Sequence, residues 1–232
     1  MVASTIEILT ESGFFGIALT VAAFYIGVTC QSKWKKAILN PILISAVLVM
    51  LTLWMLDIPV EQYQLDCKPL TYLTTPATIC LAIAFYEQLQ KLKKHLPAIL
   101  IGVTGGTLSS LLSVWLLSGL FGFSDMLTVS LLPKSITSAI GVVLSEQAGG
   151  VGVLTTAVII ITGIMGNVTG PALSKLFQLR DPISQGVAFG TASHVIGTSR
   201  ATEISPLVGA VSSLSLTLAG LITTVLFSFL LR

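Results

Sequence analysis

Apolar segments constrain this chain more than any other feature of its sequence. Several uninterrupted apolar runs approach the roughly 20 residues that an α-helix needs to cross a bilayer. Only 9% of the residues are charged, against about 25% in a typical soluble domain. We therefore predict an all-α polytopic membrane protein with about seven to eight hydrophobic segments, in a single integral membrane domain over residues 1–232.

Ionisable residues interrupt the mostly apolar stretch 131–203. It contains Lys134 next to Pro133 and, further on, His194 and Arg200. An ionisable side chain within a membrane span costs roughly 2.5–3.5 kcal/mol on insertion scales and usually has a functional role. A proline removes a backbone hydrogen bond and breaks the helix, which is tolerated only beside protein or a wet cavity. These residues are therefore the leading candidates for a functional site.

The charges in the loops predict the orientation of the segments. No lysine or arginine precedes the first apolar run, which indicates an outside N-terminus without a cleaved signal peptide. Basic loops at Lys35 and Lys93 indicate the cytoplasmic side. Eight simple crossings would place Arg180 outside, against the positive-inside bias. A re-entrant hairpin over residues 126–149, hinged near Pro133, removes this conflict, and we predict it.

Two proline-containing segments resemble each other. Residues 76–83 and 133–140 both match the pattern Pro-x-[Ser/Thr]-Ile-x-x-Ala-Ile. Paired, proline-broken segments in two halves of a chain indicate a structural repeat around a transport site, with chance similarity as the alternative. In the first segment Pro76 is a predicted helix break, and Thr75 and Thr78 are candidate substrate-binding residues.

The second of these segments has the chemistry of an anion site. Pro133 ends one half-helix, and Ser135 or Thr137 can cap a second whose N-terminus faces the break. That N-terminus carries roughly half a positive charge, and Lys134 adds a full one. We predict that Lys134, Ser135 and Thr137 bind a small organic anion. The alternative is that Lys134 extends to the membrane interface while Pro133 only kinks the helix.

The segment around His194 carries a second candidate set. In a continuous helix Thr191, His194 and Thr198 share one face, because steps of three and four residues are neighbours. His194 titrates near neutral pH, so we predict that it carries a coupled proton; a hydrogen-bonded buried imidazole is the alternative. An adjacent stripe of the helix carries four further candidates. Gly190 and Gly197 are predicted helix breaks, and Ser193 and Arg200 join Thr191 and Thr198 as candidate substrate-binding residues.

Arg200 has two interpretations. Its guanidinium can hold a carboxylate through two parallel hydrogen bonds, or it can anchor the segment at the interface by pairing with Glu203. Motifs of hydrolases, zinc proteases and nucleotide-binding enzymes do not occur, so we predict no catalytic residue, no metal site and no cofactor. The net charge of +2 is too small to indicate a nucleic-acid partner.

Several motifs together resemble the LrgB/CidB family over essentially the whole chain. They are Asn40-Pro41, Pro76-Ala77-Thr78, Leu132-Pro133-Lys134-Ser135, Arg180-Asp181-Pro182-Ile183, and the block Gly-Thr-Ala-Ser-His-x-x-Gly-Thr from Gly190. Two positions depart from the family pattern. Ser138-Ala139 stands where relatives often have a second proline, and Ser199 stands where they often have alanine.

The resemblance implies a multi-pass bacterial plasma-membrane protein that works with a small LrgA/CidA-type partner, and a homo-oligomer is compatible with it. Family names imply an antiholin-like control of murein hydrolase activity and cell lysis. Related plastid and bacterial proteins imply transport of glycolate, glycerate or pyruvate. Two hypotheses therefore stay open: a proton-coupled carrier subunit for small monocarboxylates, and an antiholin-like regulator that acts on a holin-like partner.

Overall fold

The computed structural model describes residues 13–34, 41–73 and 89–230, together with Pro76, Ile79, Cys80, Ile83 and Tyr86. This part of the chain contains helices and no strand, which confirms the predicted all-α class. The helices are α1 (Phe15–Trp34), α2 (Pro41–Leu56), α3 (Val60–Thr71), α4 (Leu89–Phe121), α5 (Asp125–Leu131), α6 (Ser138–Gln147), α7 (Gly152–Leu176), α8 (Pro182–Ile204) and α9 (Pro206–Leu230).

Four helices are long and apolar enough to cross a membrane. They are α1, α7, Lys93–Phe121 of α4 and Pro206–Phe229 of α9. At about 1.5 Å per residue these spans are about 30–44 Å long, and the hydrocarbon core of a bilayer is about 30 Å thick. The predicted polytopic membrane class is confirmed, whereas the total of seven to eight hydrophobic segments stays a prediction.

The chain divides into two compact units, Met1–Cys80 and Leu81–Arg232. In the first unit α1 packs on α2 through Ala23, Val49 and Leu53. The carboxylate of Asp66, on α3, is buried and accepts a 3.1 Å hydrogen bond from the backbone N–H of Gly16 at the start of α1. This carboxylate satisfies a donor that the helix itself cannot pair, and so ties α3 to α1.

In the second unit, α5 and α6 form a helical hairpin, hairpin 1 (residues 125–150). The helix ends before Pro133, and a turn follows in which the N–H of Lys134 donates to the carbonyl of Leu131 at 3.2 Å. After α6 the N–H of Val151 donates to Ser130 Oγ of α5 at 2.8 Å. The chain therefore reverses near Pro133 and returns to the level of α5, so the predicted hairpin is present; that it enters and leaves the membrane on the same side stays a prediction.

Helix α8 is a second hairpin, hairpin 2 (residues 182–204), whose two half-helices meet at His194. The backbone there has φ 41° and ψ −138°. A Cβ added to Gly197 would lie 2.9 Å from the carbonyl oxygen of Phe189, eight residues earlier, although eight residues of straight helix extend about 12 Å. The second half consequently runs back along the first, and Ile204 lies beside Gln185 in one surface pocket.

The two hairpins enter the unit from opposite ends of α7, and their tips meet beside it. Hairpin 1 opens at the start of α7, where Gly152 lies against Val142. Hairpin 2 opens at the other end of α7, beside Pro171. The His194 ring bonds the carbonyl of Ile159 at 2.8 Å. A Cβ on Gly141, near the tip of hairpin 1, would lie 2.8 Å from the Ile159 side chain.

The basic loop residues of the second unit lie together at one of its ends. Helix α4 runs parallel to the first half of α8, because Gly102 lies against Val187 and Gly106 against Thr191. The lysines at the start of α4 are therefore at the same end as Arg180, and the positive-inside rule predicts that this end faces the cytoplasm. The basic residues of this end are Lys93, Lys94, Lys175 and Arg180, and Asp181 and Glu203 also lie there; Asp125 and Glu146 lie at the other end.

Candidate functional site

Lys134 lies at the tip of hairpin 1, half-buried against α4. Its Nζ donates hydrogen bonds to Ser110 Oγ at 3.1 Å and to Ser135 Oγ at 3.2 Å, and the two hydroxyl oxygens are 2.9 Å apart. We call these three residues the Lys134 cluster. Ser110 lies in the middle third of the α4 span. The ammonium group is therefore held at membrane depth.

No carboxylate among the described residues pairs with this ammonium group. Within the described residues, the only ion pair joins Arg200 to Glu203. A lysine ammonium carries three N–H donors and each serine hydroxyl carries one O–H. The Lys134 cluster therefore has five donor hydrogens, three from the ammonium group and one from each serine. Three of them form the hydrogen bonds within the cluster, so two donor hydrogens and the positive charge remain for a ligand. Two donors beside a cation suit the two oxygens of a carboxylate.

These donors face an open pocket of about 310 Å³. Its walls come from α4, the tip of hairpin 1 and the first half of hairpin 2, which brings Lys134, Ser135 and Thr191 together. Protein sites for small molecules begin at about 300 Å³, so this volume suits a small ligand. The residues that line it are Gly102, Gly106, Ser109, Ser110, Ser113, Lys134, Ser135, Val187, Ala188, Thr191 and Ala192.

Glycines on α4 allow hairpin 2 to form the far wall of the open pocket. A Cβ on Gly106 would lie 2.8 Å from the Thr191 methyl group, and one on Gly102 would lie 3.1 Å from Val187. The first distance is shorter than side chains tolerate, so any larger residue at position 106 would push Thr191 away from α4. Gly102 and Gly106 of α4 thus permit the close approach of the two helices.

The three hydroxyl residues of α4 in this pocket, Ser109, Ser110 and Ser113, were not predicted as site residues. Ser113 follows Ser110 by three residues and Ser109 by four, so it is a neighbour of each on the helix surface. The same pattern is equally typical of helix packing, because small residues are common at helix contacts in membranes. A ligand role for Ser110 becomes visible only when Lys134 is placed beside it.

His194 is enclosed at the tip of hairpin 2 rather than facing the open pocket. Its side chain is 3% exposed, and a Cβ on Gly163 of α7 would lie 2.6 Å from the ring. A carbonyl oxygen can only accept, so Nε2 donates to Ile159 and Nδ1 is the nitrogen free to take a proton. A positive φ is uncommon outside glycine and persists only where contacts hold it. Thr198 Oγ1 adds such a contact by donating to the His194 carbonyl at 2.9 Å.

The reversal at His194 separates residues that the sequence places together. The prediction that Thr191, His194 and Thr198 share one helix face is wrong, because it requires an unbroken helix across His194. Thr191 lines the open pocket, whereas Thr198 follows the turn and bonds Ser212 Oγ of α9 at 2.8 Å. Ser193 is buried against Gly166 of α7.

Gly190 and Gly197 flank the break of α8 but do not form it, since only His194 leaves the helical conformation within α8. Both glycines instead serve close packing. A Cβ on Gly190 would overlap the carbonyl oxygen of Ser212, and one on Gly197 would overlap Ser193. Arg200 lies beyond the turn, where it pairs with Glu203 and does not line the open pocket.

The remaining predicted residues lie elsewhere. Thr137 occupies the N-cap of α6, but its hydroxyl makes no capping hydrogen bond. The Ser135 hydroxyl bonds Lys134 and Ser110 instead, so the predicted side-chain capping of α6 is wrong. Thr75 and Thr78 lie outside the described residues, and Pro76 is described as exposed. The predictions for the 76–83 segment therefore remain predictions.

Comparison with known proteins places this architecture in a family. The model of the LrgB-like family matches residues 20–232. The chain belongs to the LrgB-like family. The match covers both hairpins and the Lys134 cluster, so the family resemblance expected from the sequence motifs is confirmed.

Three relatives illustrate the similarity. The holin-like protein CidB of Staphylococcus epidermidis is 31% identical over 93% of this chain and 94% of its own length. The holin-like protein CidB of Staphylococcus aureus is 32% identical over the same shares. The uncharacterized protein YxaC of Bacillus subtilis is 34% identical over 89% of this chain and 90% of its own length. No solved structure matches the chain.

Proposed function

We propose that this member of the LrgB-like family is the carrier subunit of a transporter for small monocarboxylates of the pyruvate and glycolate type. The observation that carries the proposal is the Lys134 cluster. It presents an unneutralised ammonium group and two spare donors at membrane depth, beside an open pocket of about 310 Å³. A charge in this position is costly, and no carboxylate among the described residues balances it, so an anionic ligand is its natural counterpart.

The opposed hairpins supply a route for the anion. The tip of hairpin 1 carries Lys134 and the first half of hairpin 2 carries Thr191, and the two hairpins open towards opposite ends of α7. Helical hairpins or broken helices of opposite orientation around a central site are the arrangement by which many secondary transporters alternate access. Movement of one hairpin against the other would expose Lys134 to each side in turn.

Proton coupling and a partner complete the proposal. Inward movement of one anion against a negative membrane potential costs about 2.3 kcal/mol per 100 mV, so co-transport of a proton is a natural solution. His194 is the candidate proton carrier, through Nδ1 at the tip of hairpin 2. The family resemblance supports a small LrgA/CidA-type membrane protein as partner and the bacterial plasma membrane as location.

A second candidate function is favoured by the names of the staphylococcal relatives, which are holin-like proteins. In that role the chain would regulate murein hydrolase activity and lysis through helix contacts with a pore-forming partner. Such a regulator has no use for an unneutralised lysine in a pocket, and we therefore rank it below the carrier.

The test is uptake of radiolabelled pyruvate and glycolate into liposomes that contain the purified protein, with and without its small partner. The carrier function predicts saturable uptake that unlabelled monocarboxylates inhibit. Absence of uptake of any monocarboxylate between about pH 5 and pH 8 would leave the regulator as the remaining candidate.

A further inference from the structure

Two hydroxyl groups near the Lys134 cluster are buried without a hydrogen-bond partner. Thr107 on α4 and Thr191 on hairpin 2 are only 4% and 6% exposed. Within the described residues, neither Thr107 Oγ1 nor Thr191 Oγ1 has a partner. Most buried polar side-chain atoms in proteins are paired, and those that are not call for a specific explanation.

Both threonines line one small space between the helices, which we call the inner cavity. Its volume is about 10 Å³, which is close to the space that one water-sized group occupies. It borders the open pocket directly, because Ser110, Ser135 and Thr191 line both spaces. The inner cavity therefore lies on the far side of the two serines of the Lys134 cluster.

The walls of the inner cavity decide what it can hold. Leu111, Leu132 and Ile136 form an apolar side, and threonine and serine hydroxyls form a polar one. Lys134 lies next to it through Ser110 and Ser135, so a second cation is disfavoured. A single neutral oxygen fits, because a hydroxyl can donate to a carbonyl oxygen and accept from an alcohol.

We propose that the inner cavity is the subsite for the oxygen on carbon 2 of the transported acid, and that Thr107 and Thr191 determine specificity for 2-oxo and 2-hydroxy acids. This inference rests on the proposed carrier function. The carboxylate takes the two spare donors of the Lys134 cluster, and the oxygen on the adjacent carbon reaches past Ser110 and Ser135 to the two threonines. An acid without that oxygen leaves both hydroxyls unpaired.

The size of the discrimination follows from the cost of unpaired buried groups. Sites built to hydrogen-bond a substrate oxygen reject analogues that lack it much more strongly than apolar pockets reject a missing methylene group. For two hydroxyls at this depth we expect pyruvate to bind about ten- to a hundredfold more tightly than propionate. Propionate is the matched probe, since it replaces the carbonyl of pyruvate by a methylene group.

The experiment compares pyruvate and propionate as inhibitors of labelled pyruvate uptake in liposomes. The wild-type chain should prefer pyruvate at least tenfold. Thr107→Val and Thr191→Val keep the side-chain shape but remove the hydroxyl, and each should lower this preference by weakening pyruvate and leaving propionate unchanged. Thr107→Ser and Thr191→Ser keep the hydroxyl and should keep the preference. Thr217→Val, at an exposed site on α9, is the matched control.

Two other results have distinct meanings. Equal inhibition by the two acids in the wild type, or an unchanged preference in both valine variants, would overturn the subsite and indicate that the cavity holds only a water molecule. The carrier function would stand in that case. If the wild type transports and binds neither acid, the carrier function itself fails, and the subsite fails with it.

Discussion

Replacing Lys134 by glutamine removes the charge of the candidate anion site with little change in shape. The ammonium group uses two of its three N–H donors on Ser110 and Ser135. A glutamine amide has two donors, so Lys134→Gln can keep those two hydrogen bonds. It loses the positive charge and the third donor, which are the features assigned to the substrate.

The magnitude follows from that single lost interaction. A hydrogen bond to a charged group contributes about 1.5–3 kcal/mol, and 1.4 kcal/mol corresponds to a factor of ten in Kd. We therefore expect the Kd for pyruvate to rise about ten- to a hundredfold in Lys134→Gln. Initial uptake at low pyruvate concentration should fall by a similar factor, while insertion and folding are retained.

The assay is calorimetric binding of pyruvate to the purified protein, paired with uptake into liposomes. Lys175→Gln is the matched control, because Lys175 is exposed at the basic end of the unit and should bind pyruvate normally. A lysine that only extends to the membrane interface would tolerate glutamine. Normal affinity and normal uptake in Lys134→Gln would therefore refute the role assigned to the Lys134 cluster.

Three further predictions follow from the opposed hairpins, from His194 and from the first unit. Single cysteines at Lys93 and Arg180, in a background without native cysteines, should both resist an impermeant thiol reagent added outside intact cells; modification at position 180 would refute the re-entrant topology. Uptake should rise as external pH falls below about 7, because the proton is a co-substrate, and His194→Gln should flatten this dependence; a profile that the variant shares with the wild type would exclude His194 as the proton carrier. Asp66→Ala should lower the free energy of unfolding by about 1–3 kcal/mol, since it leaves the Gly16 N–H unpaired. Asp66→Asn should lower it less, because the asparagine side chain keeps an acceptor oxygen. Thermal unfolding in detergent measures both variants, and equal stability of the alanine variant and the wild type would contradict the proposed link between α3 and α1.

The break in hairpin 1 could be predicted from the sequence because proline acts locally. Pro133 has no N–H and clashes with the preceding turn, so any helix through it is weakened whatever surrounds it. The loop charges then selected the re-entrant topology over a simple crossing. Lys134 was identified for the same reason, since the cost of a charge at membrane depth depends on its type and not on its neighbours.

The reversal in hairpin 2 could not be predicted because no local signal produces it. The chain turns at a histidine with a positive φ, and neighbouring glycines remain helical. What holds the turn is tertiary: the Ile159 carbonyl binds the His194 ring, and Gly163 leaves room for it. Helical periodicity therefore grouped Thr191 with Thr198, and the fold separates them.

The hydroxyl residues of the site, Thr107 and Ser110, could not be predicted from the sequence for a different reason. Thr107 and Ser110 lie in an apolar helix rich in small residues, a pattern that also describes ordinary helix packing. Only the position of Lys134 beside Ser110, and the absence of a partner for Thr107 among the described residues, separate the two interpretations. Both facts depend on which helices meet, which the sequence does not state.

Counterflow is the measurement that tests the carrier mechanism most directly. Liposomes containing the protein and its small partner are preloaded with unlabelled pyruvate and diluted into a trace of labelled pyruvate. A carrier that alternates access at Lys134 must exchange one anion for another, so labelled pyruvate should transiently accumulate inside above its equilibrium level. Lys134→Gln should slow that accumulation by the same factor, about ten- to a hundredfold. A holin-like pore would instead let labelled pyruvate and a neutral solute of similar size equilibrate together without an overshoot, and that result would contradict the account.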